Sequence, residues 1–349
     1  MPSIAVIPGD GIGKEVTKEG LKILNYMNDQ HNLNLKFEEF DIGADRYLKT
    51  GELVSDATLK KLETFDAIYL GAVGDPRVPA GVLEHGILLK LRFHFDQYVN
   101  LRPIKLLNDK FSPLKNKGVK DINFTVIREN TEGLYSGIGG FLKKGTKDEV
   151  AMQEMISTRK GVERIIRYAF EYAKKSQGKL TLCDKSNVLT YSHNLWLRVF
   201  EELKSEYSEV ETNHYYVDAI TMKMVRNPEI FDVIVTCNMF GDIITDLGAE
   251  IQGGMGLAAS GNINPETVSM FEPVHGSAPD IAGKGLANPI AAILAAAMML
   301  EYFGKEKLSK EIEEAIKEAI DKNLVTKDMG GLLTTSEMGD EIVKIIKRG

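Results

Sequence analysis

Asp242 and Asp246 stand four residues apart in the stretch Asn238-Met239-Phe240-Gly241-Asp242-Ile243-Ile244-Thr245-Asp246. A helix starting at Gly241 puts both carboxylates on one face, about 5–6 Å apart at Cβ, a spacing that suits one divalent cation. Oxygen ligands with neither histidine nor cysteine beside them favour hard Mg2+ or Mn2+ over zinc. Taken alone, the pair fits a solvated helix N-terminus equally well, because acidic side chains offset the positive end of the dipole. Arg92, Arg102 and Arg128 are a second set. Guanidinium forks bind carboxylates bidentately, so a converging group predicts a small polycarboxylate ligand, whereas each alone reads as a surface residue lying over apolar neighbours. Lys185 in Cys183-Asp184-Lys185-Ser186-Asn187 is either a loop lysine or a desolvated base, and Asp218 adds a third candidate metal carboxylate.

These side chains need elements to position them. Strands are predicted at 3–7, 35–40, 66–70, 121–127, 179–183, 213–217 and, as a buried run, 231–237, and helices at 14–28, 43–50, 55–63 and 160–175. Strands alternating with helices imply a mostly parallel sheet covered on both faces. Asp10, Arg128, Lys185 and Asp242 each follow a predicted strand, at the edge where open α/β sheets bind ligands. The loop Pro8-Gly9-Asp10-Gly11-Ile12-Gly13 invites a Rossmann reading, but Lys14 stands where the third fingerprint glycine belongs. Segment 86–91 carries an apolar stripe into Arg92. Segment 138–154 has no sustained period and reads as an excursion from the second lobe suited to a dimer arm. The small-residue loop around His275-Gly276-Ser277-Ala278-Pro279-Asp280 lets backbone approach a ligand closely and leads into a helix near Asn288-Pro289.

The 349 residues exceed what one hydrophobic core usually serves, so two lobes are expected. A 43% hydrophobic content with 27% charged residues is that of a globular protein and excludes disordered and fibrous classes. A net charge of −7 with scattered Lys and Arg provides no field for nucleic acid. Cys183 and Cys237 form no CxxC pair, which argues against a disulfide framework or a thiolate metal site. No export signal opens the chain, and the longest apolar run, Ile290 to Leu300, is too short to span a bilayer, so a cytoplasmic protein without membrane contact is expected.

The motifs IPGDGIG, LRP, RENTEGLYSG, DKSNVL, FGDIITDLGAEIQGGMG and EPVHGSAPDIAGKGLANP, in this order, resemble those of the β-decarboxylating dehydrogenases, which include isopropylmalate, isocitrate, homoisocitrate and tartrate/D-malate dehydrogenases. The resemblance covers essentially the whole chain. It implies that family's two-domain α/β fold, a mixed, mostly parallel sheet flanked by helices and no Rossmann fold. The cofactor-side domain would be 1–99 plus 253–349, and the domain for dimerisation, metal and substrate 100–252. It also implies a homodimer with active sites shared between subunits.

By the same resemblance, Arg92, Arg102 and Arg128 would hold the carboxylates of a small 2-hydroxy dicarboxylate. Asp242 and Asp246, with Asp218 from the partner subunit beside the substrate, would bind Mg2+ or Mn2+. Lys185, also from the partner, would act as base, and Tyr135 would protonate the enol carbon. Ile12, His275, Gly276, Ser277, Ala278, Pro279, Asp280, Ile281 and Asn288 would contact the cofactor. Asp280 is expected to accept the ribose hydroxyls and repel a 2'-phosphate, which favours NAD; NADP-using relatives tend to carry lysine and tyrosine at the 280–281 pair. Isocitrate enzymes place a serine and an asparagine before the first arginine, whereas Leu88 and Leu89 match the leucine pair that encloses an isopropyl group. Oxidative decarboxylation of 3-isopropylmalate, a step of leucine biosynthesis, is therefore expected. Segment 95–103 and RENTEGLY also resemble the tartrate/D-malate branch, which is the alternative.

Overall fold

The computed structural model describes residues 1–176 and 178–348. Its strands are β1 (Ser3–Gly9), β2 (Lys36–Glu39), β3 (Ala67–Ala72), β4 (Val99–Lys105), β5 (Asn123–Glu129), β6 (Gly139–Leu142), β7 (Val150–Gln153), β8 (Leu180–Asp184), β9 (Thr212–Tyr216), β10 (Val233–Thr236), β11 (Ala259–Ile263) and β12 (Ser269–Pro273). The chain divides into two compact units: Met1–Gln97, Leu106–Val119 and Gln252–Gly349 form the first, and Tyr98–Lys105 with Lys120–Ile251 the second. Among the described residues no helix is long and apolar enough to cross a membrane.

In the first unit the strand order is β2-β1-β3-β12-β11, parallel except for the antiparallel pair β11/β12. β1 is apolar at consecutive positions because both faces of its sheet are covered. Ile4 and Val6 join Tyr69 and Phe271 in one buried cluster, while Ala5 and Ile7 join Ile68, Leu70 and Met270 in another. That alternation is the period of two that strand geometry imposes. The first cluster takes in the helices Gly13–His31, Ile290–Tyr302, Glu306–Asp321 and Thr335–Ile346. Helix Ile290–Tyr302 is apolar nearly all round, as its burial requires. The second cluster takes in Ile87 and Leu91, which anchor the segment leading to Arg92. β11 and β12 are not predicted from the sequence: Ser260, Gly261 and Asn262 break up the apolar pattern of β11, and β12 is a short run closed by Glu272-Pro273.

In the second unit the order is β4-β5-β10-β8-β9, with β4/β5 antiparallel and the rest parallel. Both units thus mix one antiparallel pair into a parallel sheet, as the sequence predicts. β4 contains Pro103, which argues against a strand from sequence, yet pairs with β5 along its whole length. Helices Arg159–Ser176 and Ser192–Lys204 pack Phe170, Trp196 and Phe200 into the core, with Phe170 stacked on Phe200 at 5.4 Å and on Tyr207 at 4.8 Å. The stretch 138–154, which shows no sustained period, holds the antiparallel ribbon β6/β7. Its two strands have four residues each, too few for a period to show, and all of them are exposed.

Candidate active site

The helix Asn238–Ile251 begins three residues before Gly241, not at it, so Asp242 lies on the second turn with Asp246 one turn further. Gly241 has a different task. A Cβ there would come within 2.4 Å of Arg128 Cγ, so only glycine lets the helix rest on the arginine stem. Arg128 is also placed differently from expectation, inside β5 instead of beyond it. It is 2% exposed and spends its guanidinium on this helix. Nε donates to the Asn238 carbonyl (2.8 Å), Nη2 to Asn238 Oδ1 (2.7 Å) and Nη1 to Asp242 Oδ1 (2.7 Å). Arg102, from β4, donates through Nη1 to Thr245 Oγ1 at 2.5 Å and lies 3.6 Å from Asp242.

Tyr135 completes this cluster. Its hydroxyl donates to Asp242 Oδ2 at 3.1 Å and its ring lies under the Arg128 guanidinium. Burial first, then the charge of Asp242, raises the phenol pKa, so Tyr135 keeps its proton at neutral pH. The turn before it is folded around the buried carboxylate of Glu129, which accepts from the Thr131 and Glu132 N–H groups at 2.8 Å each. Asp246 has no hydrogen-bond partner among the described residues. Its carboxyl is raised by burial and then by the charge of Asp242, against the pull of Arg102 and Arg128.

Lys185 follows β8, and Asp218 sits in the first turn of helix Val217–Arg226, which follows β9. They pair at 2.5 Å, and the Lys185 hydrogen bond lowers the Asp218 carboxyl pKa. Asp218 does not join Asp242 and Asp246 within one chain: among the described residues no three His, Cys, Asp or Glu side chains group to hold a metal.

In the first unit, Leu88 and Leu89 end a π-helical turn, Glu84–Leu89, and Arg92 follows on helix Lys90–His94. Both leucines are half-buried, Leu88 against the core that holds Ile87. Arg92 donates to Glu272 Oε1 at 2.9 Å, and Asn262 donates to the same oxygen at 2.7 Å. The glycine loop of β1 meets the 275–281 loop directly. The Ile12 N–H donates to the Ser277 carbonyl at 2.8 Å, and a Cβ on Gly11 would come within 2.0 Å of that oxygen. Ile12 packs inward against Val16, Ala287 and Ala292, with Ala278 and Ile281 covering it. Its side chain therefore supports the loop from beneath. Ala278 holds a φ of 37°, a strained left-handed conformation for a residue with a Cβ. Gly276, Pro279 and Asp280 are exposed, Ser277 and Asn288 buried; Asn288 donates to Asp328 at 3.0 Å.

The family model for isocitrate/isopropylmalate dehydrogenases matches residues 3–342. The chain belongs to that family. It is 52% identical over 344 residues to a 3-isopropylmalate dehydrogenase of Thermobifida fusca, covering 98% of this chain and 96% of the relative. It is 50% identical over 347 residues to one of Corynebacterium glutamicum, covering 99% of each. Among solved structures, isocitrate dehydrogenase from Methylococcus capsulatus superposes with a TM-score of 0.90 at 37% identity, covering 99% of this chain and all of that one. A β-decarboxylating dehydrogenase from Thermococcus kodakarensis gives 0.83 at 36%, covering 100% and 97%.

For a dehydrogenase of this family the donor sets fit the groups its chemistry calls for. Asp242 and Asp246 offer oxygen ligands one turn apart, a donor set that suits a hard divalent cation. In the loop at 275, His275 Nε2 is buried without a hydrogen-bond partner, and burial lowers the pKa of the ring, keeping it neutral. Sequence reasoning gave no role to Asn238, Thr245, Asn262 or Glu272. The signal for Glu272 is a lone acidic residue in an otherwise apolar strand; Asn238 and Thr245 carry none beyond their place in the aspartate stretch.

Proposed function

We propose that this dehydrogenase oxidises and decarboxylates 3-isopropylmalate to 4-methyl-2-oxopentanoate with NAD and Mg2+ or Mn2+, in the leucine pathway of the cytoplasm. The observation that carries this reading is the cluster of Arg102, Arg128, Tyr135 and Asp242, with Asp246 one turn on, in a chain half identical to proteins named 3-isopropylmalate dehydrogenase. Arg92, Arg102 and Arg128 bind the two carboxylates, which orients the malate carbons. Asp242 and Asp246, with Asp218 of a second copy, would hold the cation, and the 275–281 loop with Asn288 and the Ile12 backbone would hold the cofactor. When bound, the cation would supply polarisation of the C2 oxygen and the nicotinamide a hydride acceptor for C2. Lys185 of the second copy removes the C2 hydroxyl proton as general base. After the C3 carboxylate leaves as CO2, the Tyr135 hydroxyl, still protonated at neutral pH, delivers a proton to C3. Leu88 and Leu89 pack on the isopropyl group. Asp280 accepts from the ribose hydroxyls.

Exposed apolar groups on the second unit support a dimer with a shared site. Met222, Val225 and Ile243 are apolar yet between 45% and 61% exposed, and lie on the two helices that carry Asp218 and Asp242. The β6/β7 ribbon exposes Phe141, Leu142, Val150 and Met152 as well. Soluble monomers rarely leave such groups uncovered. Steady-state kinetics with 3-isopropylmalate, D-malate, tartrate and isocitrate, each with NAD and NADP, test the assignment. The highest kcat/KM is expected for 3-isopropylmalate with NAD; D-malate or tartrate clearly ahead, or equal use of NADP, contradicts it.

A further inference from the structure

The strands that deliver Lys185 and Asp218 are tied together by a pair with no place in the reaction itself. Asp184, the last residue of β8, is 0% exposed, and its Oδ1 accepts from His214 Nε2 at 2.8 Å. Weaker bonds reach the same oxygen from the Ser186 N–H (3.2 Å) and hydroxyl (3.4 Å), while Oδ2 is buried with no hydrogen-bond partner. The orientation of the carboxylate therefore rests on His214 and Ser186. His214 lies on β9 opposite Leu182, and its ring reaches along the sheet to the end of β8. Just beyond each strand end stand the two residues of interest, Lys185 after Asp184 and Asp218 after Tyr216, paired at 2.5 Å.

The arrangement is a closed ring of contacts. One side is the Asp184–Lys185 backbone, the other is the short run from His214 to Asp218, and a hydrogen bond spans each end. Lys185 is pinned from a further direction: its backbone N–H donates to His193 Nδ1 at 3.1 Å, and His193, buried, lies 5.1 Å from the ring of Phe240. That acceptor role places the His193 proton on Nε2.

We propose that His214, through Asp184, is a positioning residue for Lys185 and Asp218. The His214–Asp184 hydrogen bond sets the separation of the two strand ends, and so the placement of the amine against the carboxylate. This rests on the roles proposed above for Lys185 and Asp218. Outer partners of catalytic and metal-binding groups typically change affinity or activity by about 10–100-fold when removed.

The test compares full-length wild type with His214→Ala, His214→Asn and His214→Gln, reading kcat, KM for NAD, melting temperature, and Mn2+ affinity by calorimetry with substrate but no NAD. A glutamine amide nitrogen falls near the position of imidazole Nε2; an asparagine stops short of it. Alanine and asparagine are expected to lower kcat and Mn2+ affinity about tenfold or more with KM for NAD unchanged, and glutamine to recover most of both. A His214→Ala protein with wild-type kcat and Mn2+ affinity overturns the proposal. So does a glutamine variant no better than asparagine, a comparison that decides the matter even if the alanine variant does not fold. If wild type itself fails to reduce NAD, the functional reading fails while the Mn2+ measurement still reports on the brace.

Discussion

A guanidinium that is 2% exposed has no water to replace a lost partner, so the hydrogen bonds of Arg128 to Asn238 and Asp242 cannot be re-made elsewhere. Lysine at 128 reaches one of these acceptors at a time. Arg128→Lys should cost about 2–3 kcal/mol of stability, discounted from the fully buried case because Asp242 is partly exposed, and lower kcat/KM about a hundredfold or more. Denaturant unfolding and steady-state kinetics check both, and a variant of wild-type kcat/KM would remove Arg128 from the site. His193 sets a pH dependence. Burial lowers its pKa from 6.5, although the charge of Asp184 pulls the other way. The unfolded chain therefore takes up a proton near pH 6.5 that the folded chain refuses. Stability is full above that pH and is lost as pH falls through it towards the lowered folded pKa. His193→Asn keeps an acceptor for the Lys185 N–H but cannot titrate, so its melting temperature should fall less between pH 7 and pH 5 than that of wild type. An unchanged fall assigns the effect to other groups, of which half-buried His275 is the first.

The helix Asn238–Ile251 has to lie flat on β5 for its aspartates to meet Arg102 and Arg128, and Gly241 is the point of contact. Gly241→Ala favours the helix by propensity, by roughly 1 kcal/mol, yet its methyl would collide with the Arg128 stem at Cβ and Cγ, which cannot swing aside as a side-chain tip does. A folded protein with kcat/KM reduced about tenfold or more is expected; unchanged kinetics would show that the helix has slack. On the π-helical turn Glu84–Leu89, Leu88→Ala should lower kcat/KM for 3-isopropylmalate about 10–200-fold while sparing D-malate, which has no group for that pocket. Equal losses on both would detach Leu88 from specificity. Much of this was legible in the sequence. Buried strands announced themselves by runs such as Val233–Thr236, and Asp242 and Asp246 by helical spacing. What was not legible depends on long-range fit. The helix starts at Asn238 because Asn238 is held by Arg128, more than a hundred residues away, and β4 pairs in spite of Pro103 because β5 supplies a partner along its length. The π-turn before Lys90 has no periodic signature at all.

At the scale of the molecule, Asp218 and Lys185 of one chain pair with each other, and no third acidic side chain joins Asp242 and Asp246 among the described residues. If a second copy supplies them, a Lys185→Ala chain and a Tyr135→Phe chain, each nearly inactive alone, should regain activity when refolded together. Each heterodimer would combine one intact Tyr135 with one intact Lys185 in the same site. No recovery over the parents would put Lys185 to work within its own chain. The most direct measurement is the stoichiometry of the reaction itself, counting NADH, CO2 and 4-methyl-2-oxopentanoate formed from 3-isopropylmalate with and without Mn2+. Oxidation and decarboxylation at a cation held by Asp242 and Asp246 predict equal amounts of all three, abolished by chelation and by Asp246→Asn. NADH without CO2, or turnover that survives removal of the metal, would contradict it.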